Sequence, residues 1–244
     1  MKTVVIIGAK SEMAKFVSMQ FAKNGFDLFL VGRDVKNELN EFSQSIAKEF
    51  CQEVSLYDLD ILDKNGVDTF LSKIKSIPFG IISFVGLLGD QEKAMNDQNY
   101  VDIILRSNFN AIVPIIDYFA NKLENQKYGF VIGIASVAGV RGREKNYYYG
   151  SAKAAFITYL SGLRNRLHKS NVHVMTVLPG YVETRMTKDL DLPSWLKVSP
   201  EYVGEKILNA YKKKKDVIYV PGIWRYIMFI INNIPERSFK KLNI

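Results

Sequence analysis

Short apolar runs of strand character alternate with segments whose apolar residues recur at helical spacing, and this alternation constrains the fold more than any other feature. Thr3–Ile7 reads as a strand, and Ser11–Asn24 as a helix with Met13, Phe16, Val17, Met19, Phe21 and Ala22 at helical spacing, closed by Gly25. A strand at Asp27–Val31 leads to a helix over 36–50, and a strand at Val54–Tyr57 to a helix carrying Val67, Phe70, Leu71 and Ile74. The run Gly80–Gly86 has the continuous apolarity of a strand buried on both faces, and one long helix is expected over 99–124. Phe130–Ala135, Val172–Leu178 and Val217–Val220 complete the strands, with helices over Tyr147–Lys169 and 200–213. Such alternation implies right-handed βαβ units: an α/β Rossmann fold, with a doubly wound parallel sheet of about seven strands flanked by helices. Ligands of such sheets lie at the carboxyl ends of the strands, so motifs of interest should follow strands directly.

No repeat or linker divides the 244 residues, so one domain over 1–244 is expected, with an apolar and basic tail over 221–244. One cysteine, Cys51, cannot form an intramolecular disulfide, and with only His168 and His173 a Cys/His zinc site is disfavoured; no metal is expected. Met1–Gly8 lacks the pattern of a secretory leader, which suggests a cytoplasmic protein. The net charge of +8 gathers partly in Lys212–Lys215 and partly in Arg225, Arg237, Lys240 and Lys241. No nucleic-acid-binding motif accompanies it, and no nucleic-acid partner is expected. Attraction to anionic lipid or a phosphorylated substrate is one reading of this charge, simple solubility the other.

Gly8-Ala9-Lys10-Ser11-Glu12-Met13-Ala14 follows the first strand and opens the first helix, the context of a dinucleotide-phosphate turn. Only its first glycine fits the usual pattern, since Glu12 and Ala14 occupy glycine positions. After the second strand come Gly32, Arg33 and Asp34. An arginine there suits the 2′-phosphate of NADP(H), while Asp34 keeps NAD(H) open through the ribose hydroxyls. Asp60 and Ile61 follow the third strand and can meet the adenine, or Asp60 can cap a helix. Gly86 allows close backbone approach to the cofactor, and Pro179, Gly180, Val182 and Thr184 after the sixth strand can wrap the nicotinamide.

Tyr149-Gly150-Ser151-Ala152-Lys153 is the strongest chemical signal. Positions i and i+4 share a helix face, so the Lys153 ammonium should stand beside the Tyr149 hydroxyl. That charge, with the positive ring of the oxidised nicotinamide, would lower the tyrosine's pKa and suit it to proton exchange with a ketone or alcohol oxygen. Ser136, ending the fifth strand, can bind the same oxygen, and Asn108 can hold a water linking Lys153 to solvent. Each residue alone has a bland packing or loop reading; their order along the chain does not.

Across its whole length the chain resembles the classical short-chain dehydrogenase/reductases. The resemblance places that family's catalytic asparagine, serine, tyrosine and lysine on Asn108, Ser136, Tyr149 and Lys153. It implies hydride exchange between NAD(P) and a ketone or secondary alcohol, and a homo-oligomer. Two departures stand out: the eroded glycine turn, and Ser83-Phe84-Val85-Gly86 where the family carries Asn-Asn-Ala-Gly. Phe84–Asp90, Ser136–Gly139 and the stretch Trp224–Arg237 are similar to a bacterial subfamily that contains the 2-keto reductase component of decaprenylphosphoryl-ribose 2′-epimerase. That likeness implies a polyprenylphosphoryl 2-keto sugar of cell-wall synthesis as substrate, and a flavoprotein oxidase as partner. A reductase of small ketones, steroids or acyl groups is the alternative, and a non-catalytic cofactor-binding regulator or scaffold the rival of another class.

Ile223–Ile234 is too short to span a bilayer, which takes roughly 20 residues. With the cations beyond it, it reads as an interfacial segment over 223–241, giving peripheral contact with the inner face of the membrane. A helix folded over the substrate cleft and a subunit contact are its other readings.

Overall fold

The computed structural model describes residues 2–74, 76–184 and 196–242. Seven parallel strands form one sheet: β1 (Thr3–Ile7), β2 (Asp27–Gly32), β3 (Val54–Asp58), β4 (Gly80–Ser83), β5 (Gly129–Ile134), β6 (Val172–Pro179) and β9 (Val217–Val220). Their order, β3-β2-β1-β4-β5-β6-β9, reverses direction between β1 and β4, and the loops that bear the motifs meet there. Two short strands, β7 (Tyr181–Val182) and β8 (Lys197–Val198), pair separately.

Each face of the sheet is covered by helices. One core gathers Val4, Ile6, Leu28, Leu30 and Phe130 under α1 (Glu12–Lys23), α3 (Asn40–Phe50) and α9 (Pro200–Lys212). The other gathers Val5, Ile7, Ile81 and Val131 under α4 (Lys64–Ser72), α7 (Val113–Gln126) and α8 (Tyr147–His168). The usual third glycine of the α1 turn is Ala14, fully buried, and close packing on this face comes instead from α9. A side chain at Gly204 would meet the Phe16 backbone at 3.2 Å.

Several expected elements are subdivided. The helix over 36–50 is α2 (Val35–Glu38) followed by α3, because Leu39 leaves the helical region at φ −114°, ψ 8°. Strand pairing from Gly80 stops at Ser83; beyond the bond from Phe84 N–H to Ile7 O, β1 has already turned into Gly8 and offers no further ladder. The expected long helix over 99–124 is three pieces: α6 (Gln98–Leu105), a π-turn (Arg106–Asn110) and α7, preceded by α5 (Gln91–Asn96), whose first turn is capped by Asp90. Two causes break it. Asn108 turns its carboxamide back onto the Ile104 carbonyl, and Pro114 has no N–H for the ladder. The tail forms α10 (Trp224–Asn233) and α11 (Glu236–Phe239).

Candidate active site

Three elements bring Ser136, Tyr149, Lys153 and Asn108 to the carboxyl edge of β4 and β5. Ser136 leaves β5 in extended conformation, and its Oγ accepts the Ala138 N–H at 3.1 Å, which fixes the hydroxyl at the head of a short 3-10 turn. Tyr149 lies in the first turns of α8, and its hydroxyl hydrogen-bonds with Ser136. Gly139 and Gly150 let that turn lie directly on α8: a side chain at Gly150 would meet Ala138 O at 2.8 Å, and one at Gly139 would meet Ala154 N at 2.7 Å.

Lys153 is almost fully enclosed, with 2% of its surface exposed. Its Nζ donates to Val85 O at 3.1 Å and Ile134 O at 3.2 Å, and lies 5.7 Å from the centre of the Tyr149 ring. Asn108 donates to Leu87 O at 2.7 Å and Ile104 O at 2.8 Å and accepts the Leu87 N–H at 3.2 Å, so its carboxamide is fully engaged. Gly86 sits between them. A side chain there would stand 3.2 Å from both Asn108 Oδ1 and Lys153 Nζ, so this glycine permits the two to converge.

The electrostatics differ from the sequence expectation. Burial pushes the Tyr149 hydroxyl up to about 12 against the opposing Ser136 hydrogen bond, and pushes Lys153 down to about 7. Lys153 is held by neutral carbonyls, so desolvation outweighs the attraction between ammonium and phenolate in the ligand-free site. Ser83 Oγ, where the related pattern has asparagine, is buried without a partner among the described residues.

At the other end of the edge, Gly8 adopts φ +79°, and a side chain on it would press on the Phe84–Val85 backbone at 3.0 Å. Ser11, Glu12 and Met13 follow at the start of α1, whose N-cap residue Ser11 makes no side-chain cap and donates its own N–H to Gly8 O at 3.0 Å. Lys10 pairs with Glu38 at 2.5 Å. Arg33 is exposed and has no ion-pair partner among the described residues, whereas Asp34 accepts from Asn37 at 2.6 Å. The Asp60 carboxylate closes its own turn by accepting the Leu62 N–H, with Ile61 between them half-buried; the cap of α4 is Asp63 instead. Pro179 ends β6, Gly180 N–H donates to Val220 O, and Val182 is buried in β7 with Thr184 just beyond.

Sequence reasoning offered a helix folded over the cleft as one reading of the tail but named none of the contacts that hold it there. Trp224 lies against Gly180 where a side chain would be, 1.8 Å from that missing carbon, and its ring meets Tyr181 edge-on. Arg141, a short step from Ser136, donates to Ile231 O and, at 2.7 Å, to Ile234 O. It also pairs with Glu236 at 2.8 Å and covers the Phe239 ring. A lone arginine gives no sequence signal of a partner ninety residues away.

The family model described as short chain dehydrogenase matches residues 2–194. An uncharacterized oxidoreductase of Mycobacterium tuberculosis is 28% identical over 243 residues, covering 98% of this chain and 96% of its own. The 7beta-hydroxysteroid dehydrogenase of Clostridium sardiniense is 26% identical over 219 residues, covering 88% and 78%. Among solved structures, a short-chain dehydrogenase from Sphingobium yanoikuyae in complex with NADPH superposes with a TM-score of 0.85 at 20% identity, covering 98% of each chain.

Proposed function

The chain belongs to the short chain dehydrogenase family of NAD(P)-dependent oxidoreductases, and from that premise we propose that it reduces the 2-keto group of a polyprenylphosphoryl sugar. The cofactor favoured is NADPH, with NADH possible through Asp34. Three features fit such a cofactor: the cradle that Gly8 leaves open, the start of α1 beside it, and Arg33, exposed and unpaired among the described residues, for a 2′-phosphate. Gly86 and the Pro179–Thr184 segment would flank the nicotinamide, which when bound supplies the hydride.

The residues of this chain then handle the oxygen and its proton. The Ser136 hydroxyl hydrogen-bonds to the substrate oxygen and holds it beside Tyr149. The Tyr149 hydroxyl gives that oxygen its proton in the reduction, or accepts it in the oxidation. Lys153 supports the phenolate and resupplies the proton. With the Asn108 carboxamide committed to Leu87 and Ile104, a relay water would rest on the Asn108 main-chain carbonyl, which Ile112 N–H bypasses for Phe109 O.

One observation carries the lipid-linked substrate: an apolar helix docked on Gly180 and tied to the Ser136–Tyr149 loop. α10 turns Trp224 and Met228 inward and leaves Tyr226, Phe229 and Ile230 exposed, with Arg225, Arg237, Lys240 and Lys241 nearby in the chain. That face suits a prenyl chain at a membrane surface and its phosphate. No helix among the described residues is long and apolar enough to cross a membrane, so the contact proposed is peripheral, on the cytoplasmic side. A flavoprotein oxidase would supply the keto sugar. A second copy would pair along α7 and α8, where an open groove of about 600 Å³ is lined by Phe109, Thr158, Tyr159 and Leu163.

Reduction of a polyprenylphosphoryl 2-keto-pentofuranose, followed by cofactor absorbance with NADPH and NADH in parallel, tests the proposal. Turnover with NADPH supports it. Turnover confined to small ketones or steroids, with cofactor still bound, would replace the substrate and keep the chemistry.

A further inference from the structure

The loops after β4 and β5 converge on the start of α8, one turn ahead of Tyr149. Gln91, at the head of α5, accepts the Tyr148 N–H through Oε1 at a long 3.5 Å. Arg143 and Asn146 stand on the opposing loop, joined by the bond from Asn146 N–H to Arg143 O. Here three side-chain polar atoms are shut from water without a partner among the described residues: Gln91 Nε2, Arg143 Nε and Asn146 Oδ1. A polar group shut from water is unfavourable unless something pairs with it.

Arg143 contrasts with three other arginines of the chain. Arg141 is saturated by two carbonyls and Glu236, Arg164 by Val174, Thr176 and Asp216, and Arg166 by Glu124 and Asn121. Among the described residues Arg143 has no hydrogen-bond or ion-pair partner at all. A guanidinium fork presents paired donors suited to phosphate oxygens, and a glutamine and an asparagine amide can each give and take hydrogen bonds from sugar hydroxyls. A steroid or acyl chain would leave all three unsatisfied.

We propose that Arg143 is the phosphate-recognising residue of the substrate cleft, with Gln91 and Asn146 beside it taking sugar hydroxyls. This deepens the lipid-linked-sugar reading and rests on it for the substrate class, although the anion site can be tested without turnover.

The probes are ribose 1-phosphate, methyl ribofuranoside and inorganic phosphate, each titrated calorimetrically into the NADPH-saturated protein so that the anion site at Arg33 is already filled. Ribose 1-phosphate should bind at least about tenfold more tightly than either other probe. Arg143→Ala should erase its advantage over the neutral ribofuranoside, Arg143→Lys should retain part of it, and Lys145→Ala, the same charge change on the exposed neighbour, should keep it. An advantage that survives in Arg143→Ala, or is missing in the unaltered protein, overturns the phosphate assignment. Inorganic phosphate binding as tightly as the sugar phosphate overturns the roles of Gln91 and Asn146. Retained NADPH affinity shows that each variant is folded, and Arg143→Lys serves if the alanine variant is not. Failure to reduce a lipid-linked keto sugar, with this binding pattern intact, would discard the substrate and leave the anion site standing.

Discussion

The strip from Asn108 to Lys153 and the tail helix α10 lie at the same end of the sheet, yet they are built in opposite ways. In the strip, polar groups are buried and their partners specified: Asn108 is 1% exposed and Lys153 2%, and both are anchored to backbone carbonyls. In α10 only Trp224 and Met228 are buried, Tyr226 and Phe229 are about 70% exposed, and one arginine ties down the last turn. Under the proposed function the contrast would separate two tasks: proton transfer needs fixed geometry in a dry environment, whereas a surface meant to meet a long apolar substrate would keep apolar area in reach of solvent.

The strongest way to break the comparison is Tyr149→Phe. It removes one oxygen from the centre of the strip and leaves its packing in place. Turnover should fall about a thousandfold or more, in the range for loss of a positioned acid–base group, while NADPH affinity stays within about twofold. A modest fall in steady-state rate would move the proton chemistry to another residue.

Lys153→Met tests whether the strip is built at the expense of stability. The folded pKa near 7 lies below the value of about 10.4 expected for an unfolded lysine. Between those values the unfolded chain holds a proton that the folded chain has released, so this group's contribution rises with pH. It is present above about 10.4 and lost as pH falls through 7. The stability of the ligand-free protein relative to Lys153→Met should therefore increase from pH 7 to 10, by on the order of 4 kcal/mol over the full window. Denaturant unfolding at several pH values measures it, and a flat difference would show that Lys153 stays charged where it is.

On the tail side, Arg141→Ala should act at a distance. It strips the Ile231 and Ile234 carbonyls of their donor and unpairs Glu236, a loss of roughly 1–3 kcal/mol concentrated in α10 and α11. Hydrogen exchange should quicken over 224–239 ahead of the sheet, and KM for a lipid-linked substrate should rise more than kcat falls. Uniform loss of protection would mean that tail and strip form one cooperative unit.

How much could be read from the sequence follows the same division. The strands and their parallel arrangement were legible because short, continuous apolar runs such as Thr3–Ile7 and Phe130–Ala135 alternate with segments of helical period. Tyr149 and Lys153 were legible as a pair because helical spacing alone puts them on one face. The π-turn at Asn108 was not, since neither the fold-back of its carboxamide onto Ile104 O nor its reach to Leu87 in a separate loop shows as a local pattern. The break at Leu39 and the grip of Arg141 on the tail also depend on contacts that no local pattern encodes. The rise of the Tyr149 pKa was missed for a related reason: spacing shows the neighbouring charge, but not how little water surrounds it.

The smallest effect on stability should come from the most exposed residue of α10, and that makes it a sharp test of what the tail is for. Phe229 is 70% exposed and no aromatic partner holds it among the described residues, so Phe229→Ser should change the unfolding free energy by no more than about 0.5 kcal/mol. If the exposed face meets a bilayer, the same substitution should lower partition onto anionic vesicles by about tenfold or more, in line with roughly 1.5–3 kcal/mol for burying such a side chain. Vesicle sedimentation with the full chain measures this. Unchanged partition would separate the exposed face of α10 from any membrane and leave it to a prenyl chain or a second subunit, while the buried strip beneath it would be untouched.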